Sequence, residues 1–376
     1  MRIGLDAKRA FNNSSGLGNY SRFVITSLLQ QFPENQYCLF TPRLTDQYRT
    51  FYPQTNTVAV KQPLGLAKAW PGWWRTRGLN SDLKKSNIQL YHGLSNELPL
   101  GINPKFKMVV TIHDLIFVRY PQLYNPLDRF IYDYKTKYAC RRADKIIAIS
   151  AQTKADLIKY YGIDSEKIKV IYQDCNSNFH ELLPASYLNQ IKEKYALPDQ
   201  FILCVGTLEP RKNQLHLLRA WQQAGLATHL PIVFIGKATP YKHQLAKFAQ
   251  QHQIPNQVLF LPYIPPLELP AIYQLAYLFV YPSVFEGFGI PIIEALNSGV
   301  PVITSTGSCF AEAGGEAALY AEPDNTEQLS HLLIRATQDQ ALRAQMKELG
   351  FKQAKTFRAE ITIPQIQEVY EALLRF

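Results

Sequence analysis

Residues 279–305 read FVYPSVFEGFGIPIIEALNSGVPVITS, and the order of residue types in this stretch decides the fold. FVYP is a short apolar run that reads as a buried strand. A glycine-rich turn carrying Glu286 follows, Pro291 opens a helix that closes at Gly299, and VPVIT begins the next strand. Strand, tight loop, helix and strand make a right-handed βαβ unit of a parallel sheet. Its loop lies at the carboxyl end of a strand, where open α/β sheets bind ligands. Gly287 and Gly289 let a ligand approach the backbone, and the amides of Phe288, Gly289 and Ile290 sit at a helix N-terminus, which favours anions. Glu286 and Glu294 bracket the loop from different heights. A nucleotide sugar suits this arrangement, with a diphosphate for the amides and hydroxyls for the carboxylates. A helix start with an ordinary acidic first turn is the plainer alternative.

Outward from this stretch the same layout recurs. In FILCVGTLEPRKNQLHLLRAW a strand, a loop and a helix follow one another, and Arg211 and Lys212 sit where they can neutralise a diphosphate, at about 1.5–3 kcal/mol per charge-assisted contact. PIVFIGKA is a further strand with Gly236 at the same rim. At the start of the chain RIGLDA is a strand, and KRAFNNSSGLGNYSRF is a loop leading into a helix from near Asn19 to about Gln31. Gly16 and Gly18 make this a weak phosphate cradle. It is not the dinucleotide fingerprint, because GLGNYS lacks the third glycine and no acidic ribose ligand follows about 20 residues on. IQLYHG places His92 just past a strand, and MVVTIHDL places His113 and Asp114 at the end of the next. Two histidines at strand ends on one rim point to a functional role for at least one of them.

With 376 residues, 47% hydrophobic and 19% charged, the chain is long enough for two domains with substantial cores. Its net charge of +10 favours anionic partners. The basic residues form no single stripe and no nucleic-acid motif is present, so a nucleic-acid-binding protein is disfavoured. Five cysteines without a CxxC pair suggest neither a zinc site nor a disulfide framework, which fits a cytoplasmic location. No stretch approaches about 18 uncharged apolar residues, so no membrane span is expected. Trp70, Trp73 and Trp74 interleave with Lys68, Arg75 and Arg77, a pattern that suits peripheral membrane contact or a lipid-linked acceptor as well as burial under a loop.

FEGFGIPIIEA resembles the signature of the retaining glycosyltransferases of GT-B architecture, the group 1 or family 4 type. GTLEPRKN and VVTIHDL resemble two further segments of that family, and the likeness runs along nearly the whole chain. It implies an α/β fold of two Rossmann-like, doubly wound parallel-sheet domains facing across a cleft. The boundaries expected are 1–180 for an acceptor-side domain, 181–360 for a nucleotide-sugar domain, and 361–376 for a helix packing back on the first. It also implies that Glu286 and His113 position the donor sugar and that Arg211 and Lys212 serve the diphosphate. Gly16, Gly18, Gly206, Thr207, Gly236, Gly287, Phe288, Gly289 and Ile290 would line the donor, and Glu294 would bind the ribose. His92 and Asn96 are weaker candidates for acceptor contact. No metal and no cofactor are implied. Thr207 stands where many members carry arginine, and whether Arg211 replaces it is open; QDCNSNF stands where the family has an Asn-Gly pair. GTLEPRKN further resembles bacterial mannosyltransferases of surface-polysaccharide assembly, so mannose from GDP-mannose is the expected donor chemistry, toward a hydroxyl of a glycan or lipid-linked acceptor. A different donor such as UDP-glucose, or a nucleotide-sugar epimerase of the same fold, remains as an alternative.

Overall fold

Short runs rich in β-branched and aromatic residues form two parallel sheets, each covered on both faces, so their strands are almost uniformly buried. The computed structural model describes residues 1–101 and 105–375. The chain divides into two compact units, residues 1–173 with 358–376, and residues 174–357. The division falls before position 180 because the segment after Asp174 packs within the second unit. There Asn297 Nδ2 lies 3.3 Å from Cys175 Sγ, and the Phe179 ring is edge-on to Tyr273.

The first unit holds β1 (Arg2–Asp6), β2 (Gln36–Phe40), β3 (Val58–Lys61), β4 (Leu90–Gly93), β5 (Lys107–Ile112), β6 (Lys145–Ala148) and β7 (Ile168–Val170). Their order is β3-β2-β1-β4-β5-β6-β7, and all pairings are parallel. The second unit holds β8 (Ile202–Val205), β9 (Ile232–Ile235), β10 (Val258–Leu261), β11 (Leu278–Tyr281), β12 (Val302–Ser305) and β13 (Ala318–Ala321), in the order β10-β9-β8-β11-β12-β13. In each sheet the strand order reverses once, between β1 and β4 and between β8 and β11. Those two switch points leave crevices at the carboxyl ends of the strands, the places where such sheets take ligands.

Local chemistry accounts for the element ends. Ser150 caps its helix by accepting from Thr153 N at 3.0 Å, and Gly162, at φ +63°, closes it. Several expectations needed correction. Residues Lys8–Asn12 are helical, and the following helix begins at Gly16, so both glycines lie in its first turn rather than in a loop. A Cβ on Gly18 would fall 1.9 Å from the Asn13 carbonyl oxygen, so that glycine serves close packing of the two helices. Most of residues 65–85 is helical, in short turns of differing pitch. The amphipathic pattern from about Glu327 to Phe357 reads as one helix but forms two, Thr326–Gln338 and Gln340–Lys355, because Asp339 caps the second by accepting from Leu342 N.

The helix Ala359–Leu374 returns to the first unit and packs on Gly16–Gln31. Tyr370 is fully buried, with its hydroxyl 2.6 Å from His92 Nδ1, while His92 Nε2 meets Thr111 Oγ1 at 2.8 Å. With no exposure and both ring nitrogens engaged, His92 is a structural residue and reaches no acceptor. Burial pushes its pKa down to about 3, so it stays neutral inside the core.

Candidate functional site

The loops after β8 and β11 meet at the switch point of the second sheet. β8 ends in GTLEPRKN, where Pro210–Lys212 forms a single tight turn and Asn213, at φ +57°, starts the helix Gln214–Gln223. Gly206 and Gly236 allow the β8 and β9 ends to touch. A Cβ on Gly236 would stand 1.9 Å from the Gly206 carbonyl oxygen, at φ +158°. Gly206 in turn lies under the aliphatic part of Lys212, and the Thr207 carbonyl accepts from Gln214 Nε2 at 3.0 Å. After β11 the loop turns through Gly289, whose φ of +106° glycine adopts at little cost, into the helix Ile290–Asn297.

Lys212 and Glu286 meet across these loops. Oε1 of Glu286 accepts from Lys212 Nζ at 2.7 Å and Ser283 Oγ at 2.6 Å, and Arg211 Nη1 approaches it at 2.7 Å. Arg211 also donates to the Phe285 carbonyl and pairs with Glu209, so it fastens the β11 loop to its own turn. Burial alone would raise the Glu286 pKa, but the charges of Lys212 and Arg211 and the hydrogen bonds of Lys212 and Ser283 outweigh it and bring it down to about 2. Since that value lies below the unfolded one, the ionised carboxylate stabilises the fold above the ordinary glutamate range and ceases to as pH falls toward about 2.

Lys212 Nζ spends a second hydrogen on Tyr281 Oη at 2.6 Å, which leaves one of its three N–H bonds. The amides of Gly289 and Ile290 have no protein acceptor among the described residues, and Pro291 brings none. Glu294 sits one turn further on, half-buried, with Oε2 accepting from Tyr273 Oη at 2.8 Å. Loss of solvent pushes its pKa up to about 7, and the Tyr273 bond offsets this only in part. Two residues overlooked in the sequence hold the loop from beneath. Ser308 Oγ both accepts from the Glu286 amide at 3.1 Å and donates to its carbonyl at 3.0 Å, and Cys309 Sγ donates to the Phe288 carbonyl at 2.8 Å. Ser308 reaches them with φ +49°, a conformation that non-glycine residues adopt at some cost.

In the first unit His113 is buried, edge-on to Tyr20, and its Nε2 lies 2.9 Å from the Leu94 carbonyl. A carbonyl only accepts, so the proton is on Nε2 and Nδ1 is the acceptor. Burial brings its pKa down to about 4. Asn96, at φ +60°, accepts from the His113 amide at 2.7 Å and thereby orients the histidine. At the switch point of this sheet Asp6, Arg75, Tyr91, Glu97 and Lys135 line a shallow pocket of about 10 Å³, room for about one water. Arg75 Nη2 pairs with Asp6 at 2.7 Å, and its Nη1 pairs with Glu97. Sequence reasoning missed this charged cluster; the signal was Asp6 at a strand end. Trp74 does not join Trp70 and Trp73 on the surface: it is buried and donates from Nε1 to Asp82 at 2.7 Å.

The chain matches two family models, Glycosyl transferases group 1 over residues 189–353 and Glycosyltransferase Family 4 over residues 23–173. It is similar to the O-antigen chain mannosyltransferase B of Escherichia coli, 31% identical over 76% of this chain and 74% of that protein. It is 30% identical over 72% of its length to the serotype-specific mannosyltransferase WbdA of Escherichia coli, and the match covers 34% of that longer protein. Among solved structures, a glycosyltransferase from Rickettsia africae ESF-5 superposes with a TM-score of 0.77 at 16% identity, covering 99% of this chain and 98% of that one. Anabaena Alr3699/HepE, solved with UDP and glucose, superposes with a TM-score of 0.74 at 17% identity, covering 99% and 100%. These likenesses place the two sheets in the GT-B fold.

Proposed function

The chain belongs to the group 1, family 4 glycosyltransferases, and from that premise we propose that it moves mannose from GDP-mannose to a hydroxyl of a glycan or lipid-linked acceptor, with retention and without a metal ion. The observation that carries this reading is the convergence of Lys212, Arg211 and Ser283 on one oxygen of Glu286, beside two free amides at the β8/β11 switch point. Glu286, kept ionised, offers Oε2 to the sugar hydroxyls. The third Lys212 hydrogen and the amides of the 287–290 loop serve the diphosphate, with Gly206, Thr207 and Gly236 forming the floor. As the glycosidic bond breaks, negative charge builds on the leaving phosphate, and donors fixed there beforehand lower the barrier. The side chains supply no evident general base; the leaving phosphate takes the acceptor proton on the same face. His113 is assigned to the donor sugar, and Gly16 and Gly18 to the diphosphate, on the family resemblance. Mannose is chosen because two of the relatives are mannosyltransferases.

The test is to supply GDP-mannose or UDP-glucose with and without a mannose-terminated oligosaccharide. GDP-mannose should raise the melting temperature through linkage, and GDP should form when acceptor is present. Stabilisation by the UDP sugar alone overturns the donor assignment. An isomerised sugar formed without acceptor supports the epimerase instead.

Glu294 makes a separate prediction. Its raised pKa means that the folded protein binds a proton that the unfolded chain has lost, so its contribution to stability declines as pH rises from the ordinary 4.5 to about 7. A ribose hydroxyl donates best to the ionised form. Affinity for the nucleotide sugar, measured by calorimetry, should therefore rise from about pH 5 to about pH 7 and then level off, since a one-unit shift corresponds to about 1.4 kcal/mol. Glu294→Gln should weaken binding and flatten the profile. An unchanged affinity and slope in that variant would remove Glu294 from the nucleotide site.

A further inference from the structure

The second unit opens on Asp174 and Cys175, and His180 follows five residues on. Among the described residues these three form the one group of histidine, cysteine and acidic side chains whose ligand atoms lie close enough to share an ion, all within 4.8 Å of one another. The single turn Ser177–Phe179 brings them together. Asn176 caps it by accepting from Asn178 N at 3.0 Å, and Phe179 anchors it against Tyr273, with ring centroids 5.3 Å apart.

The spacing inside the cluster is that of ligands rather than of an ion pair. His180 Nε2 stands 3.2 Å from each of the two Asp174 oxygens, whereas a charge-assisted N–H···O bond aims at one oxygen from about 2.7–2.9 Å. With bonds of about 2.0–2.3 Å at the tetrahedral angle, neighbouring ligand atoms around zinc are about 3.3–3.6 Å apart. The His180–Asp174 pair already stands close to that separation, and Cys175 Sγ has at most about 1.5 Å to close.

The surroundings suit a bound carboxylate and thiolate. Cys175 N donates to Asp174 Oδ1 at 2.8 Å and fixes the carboxylate, and Asn297 Nδ2 lies 3.3 Å from Cys175 Sγ, an N–H placed to stabilise a charged sulfur. Asp174 and Cys175 are buried, while 24% of the His180 side chain is exposed, which gives an ion a way in. Sulfur, imidazole nitrogen and a single carboxylate select zinc and its borderline neighbours over magnesium or calcium, which take oxygen ligands.

We propose that Asp174, Cys175 and His180 bind one ion of the zinc class, with water in the fourth position. Through Asn297 the ion ties the start of the second unit to the helix Ile290–Asn297. Binding releases the Cys175 thiol proton, and His180 binds through neutral Nε2. None of the three residues is assigned to the sugar donor, so the ion stands apart from the metal-free transfer proposed above and does not depend on it.

The test titrates the full chain, stripped with a chelator and dialysed, with zinc chloride, and with magnesium chloride for comparison. One equivalent of zinc should bind and raise the melting temperature, more weakly at lower pH as the ligands take up protons. Cobalt in its place should give a thiolate charge-transfer band in the near ultraviolet. Cys175→Ala and His180→Gln should each weaken zinc binding at least about tenfold, since even an outer-shell partner is worth that much. Cys175→Ala should also abolish the band, although the other four cysteines remain. His180→Gln keeps a hydrogen-bond donor toward Asp174 and should fold as the metal-free wild type does, read by circular dichroism. Zinc bound no more tightly than magnesium, a cobalt spectrum without the thiolate band, a band that survives Cys175→Ala, or unchanged affinity in His180→Gln overturns the proposal.

Discussion

Lys212→Ala is expected to lower turnover about a hundredfold, at the lower end of what removal of one preorganised oxyanion donor costs. Lys212 is held before substrate arrives: Tyr281 and Glu286 take two of its hydrogens and fix where the third points. That geometry needs no rearrangement as charge develops on the leaving phosphate, so the loss should fall in kcat more than in KM. Arg211 still faces Glu286 in the variant, so the loop should keep its shape. Turnover at the wild-type level with saturating donor would take Lys212 out of the chemistry. A loss confined to KM would make it a binding residue only.

The largest expected effect on stability is at Arg75. Its guanidinium is nearly buried between Asp6 and Glu97, and Asp6 is itself almost wholly enclosed. Burial alone would raise the Asp6 pKa, but the Arg75 charge and hydrogen bond more than reverse this and lower it. Arg75→Met leaves the enclosed Asp6 without its paired cation and Glu97 with Lys135 alone, and is expected to cost about 3–5 kcal/mol, as breaking a buried pair from one side does. The midpoint of urea unfolding reads this directly. Adding Asp6→Asn and Glu97→Gln to Arg75→Met should restore much of the loss, because removing a whole buried cluster is far cheaper than orphaning part of it. If Arg75→Met unfolds at the wild-type midpoint, the cluster is not a structural one.

The sheets were legible in the sequence because parallel strands buried on both faces leave uninterrupted apolar runs, as in FVYP and PIVFIG, and because glycines mark the loops between them. The two loops that bring Lys212 and Glu286 together were legible for the same reason. What lay beyond reach was contact between residues distant in the chain. Nothing in the order of residues links Arg75 to Asp6, or Ser308 to the amide of Glu286. His92 was assigned to the rim by its place at a strand end, yet Tyr370 covers it from the far end of the sequence. Trp74 reads like Trp70 and Trp73 until Asp82 is seen to take its indole hydrogen. In the helix Pro126–Arg142 only burial shows that Leu127, Phe130 and Tyr134 face outward.

The return of Ala359–Leu374 to the first unit has a consequence for biosynthesis. On the ribosome residues 174–357 can collapse as soon as they emerge. The unit begun at Met1 must wait with an uncovered imidazole until Tyr370 has been polymerised. The half of the enzyme translated first is therefore the half completed last, and a nonsense codon near position 358 would leave the nascent protein with its later unit whole and its earlier one unfinished.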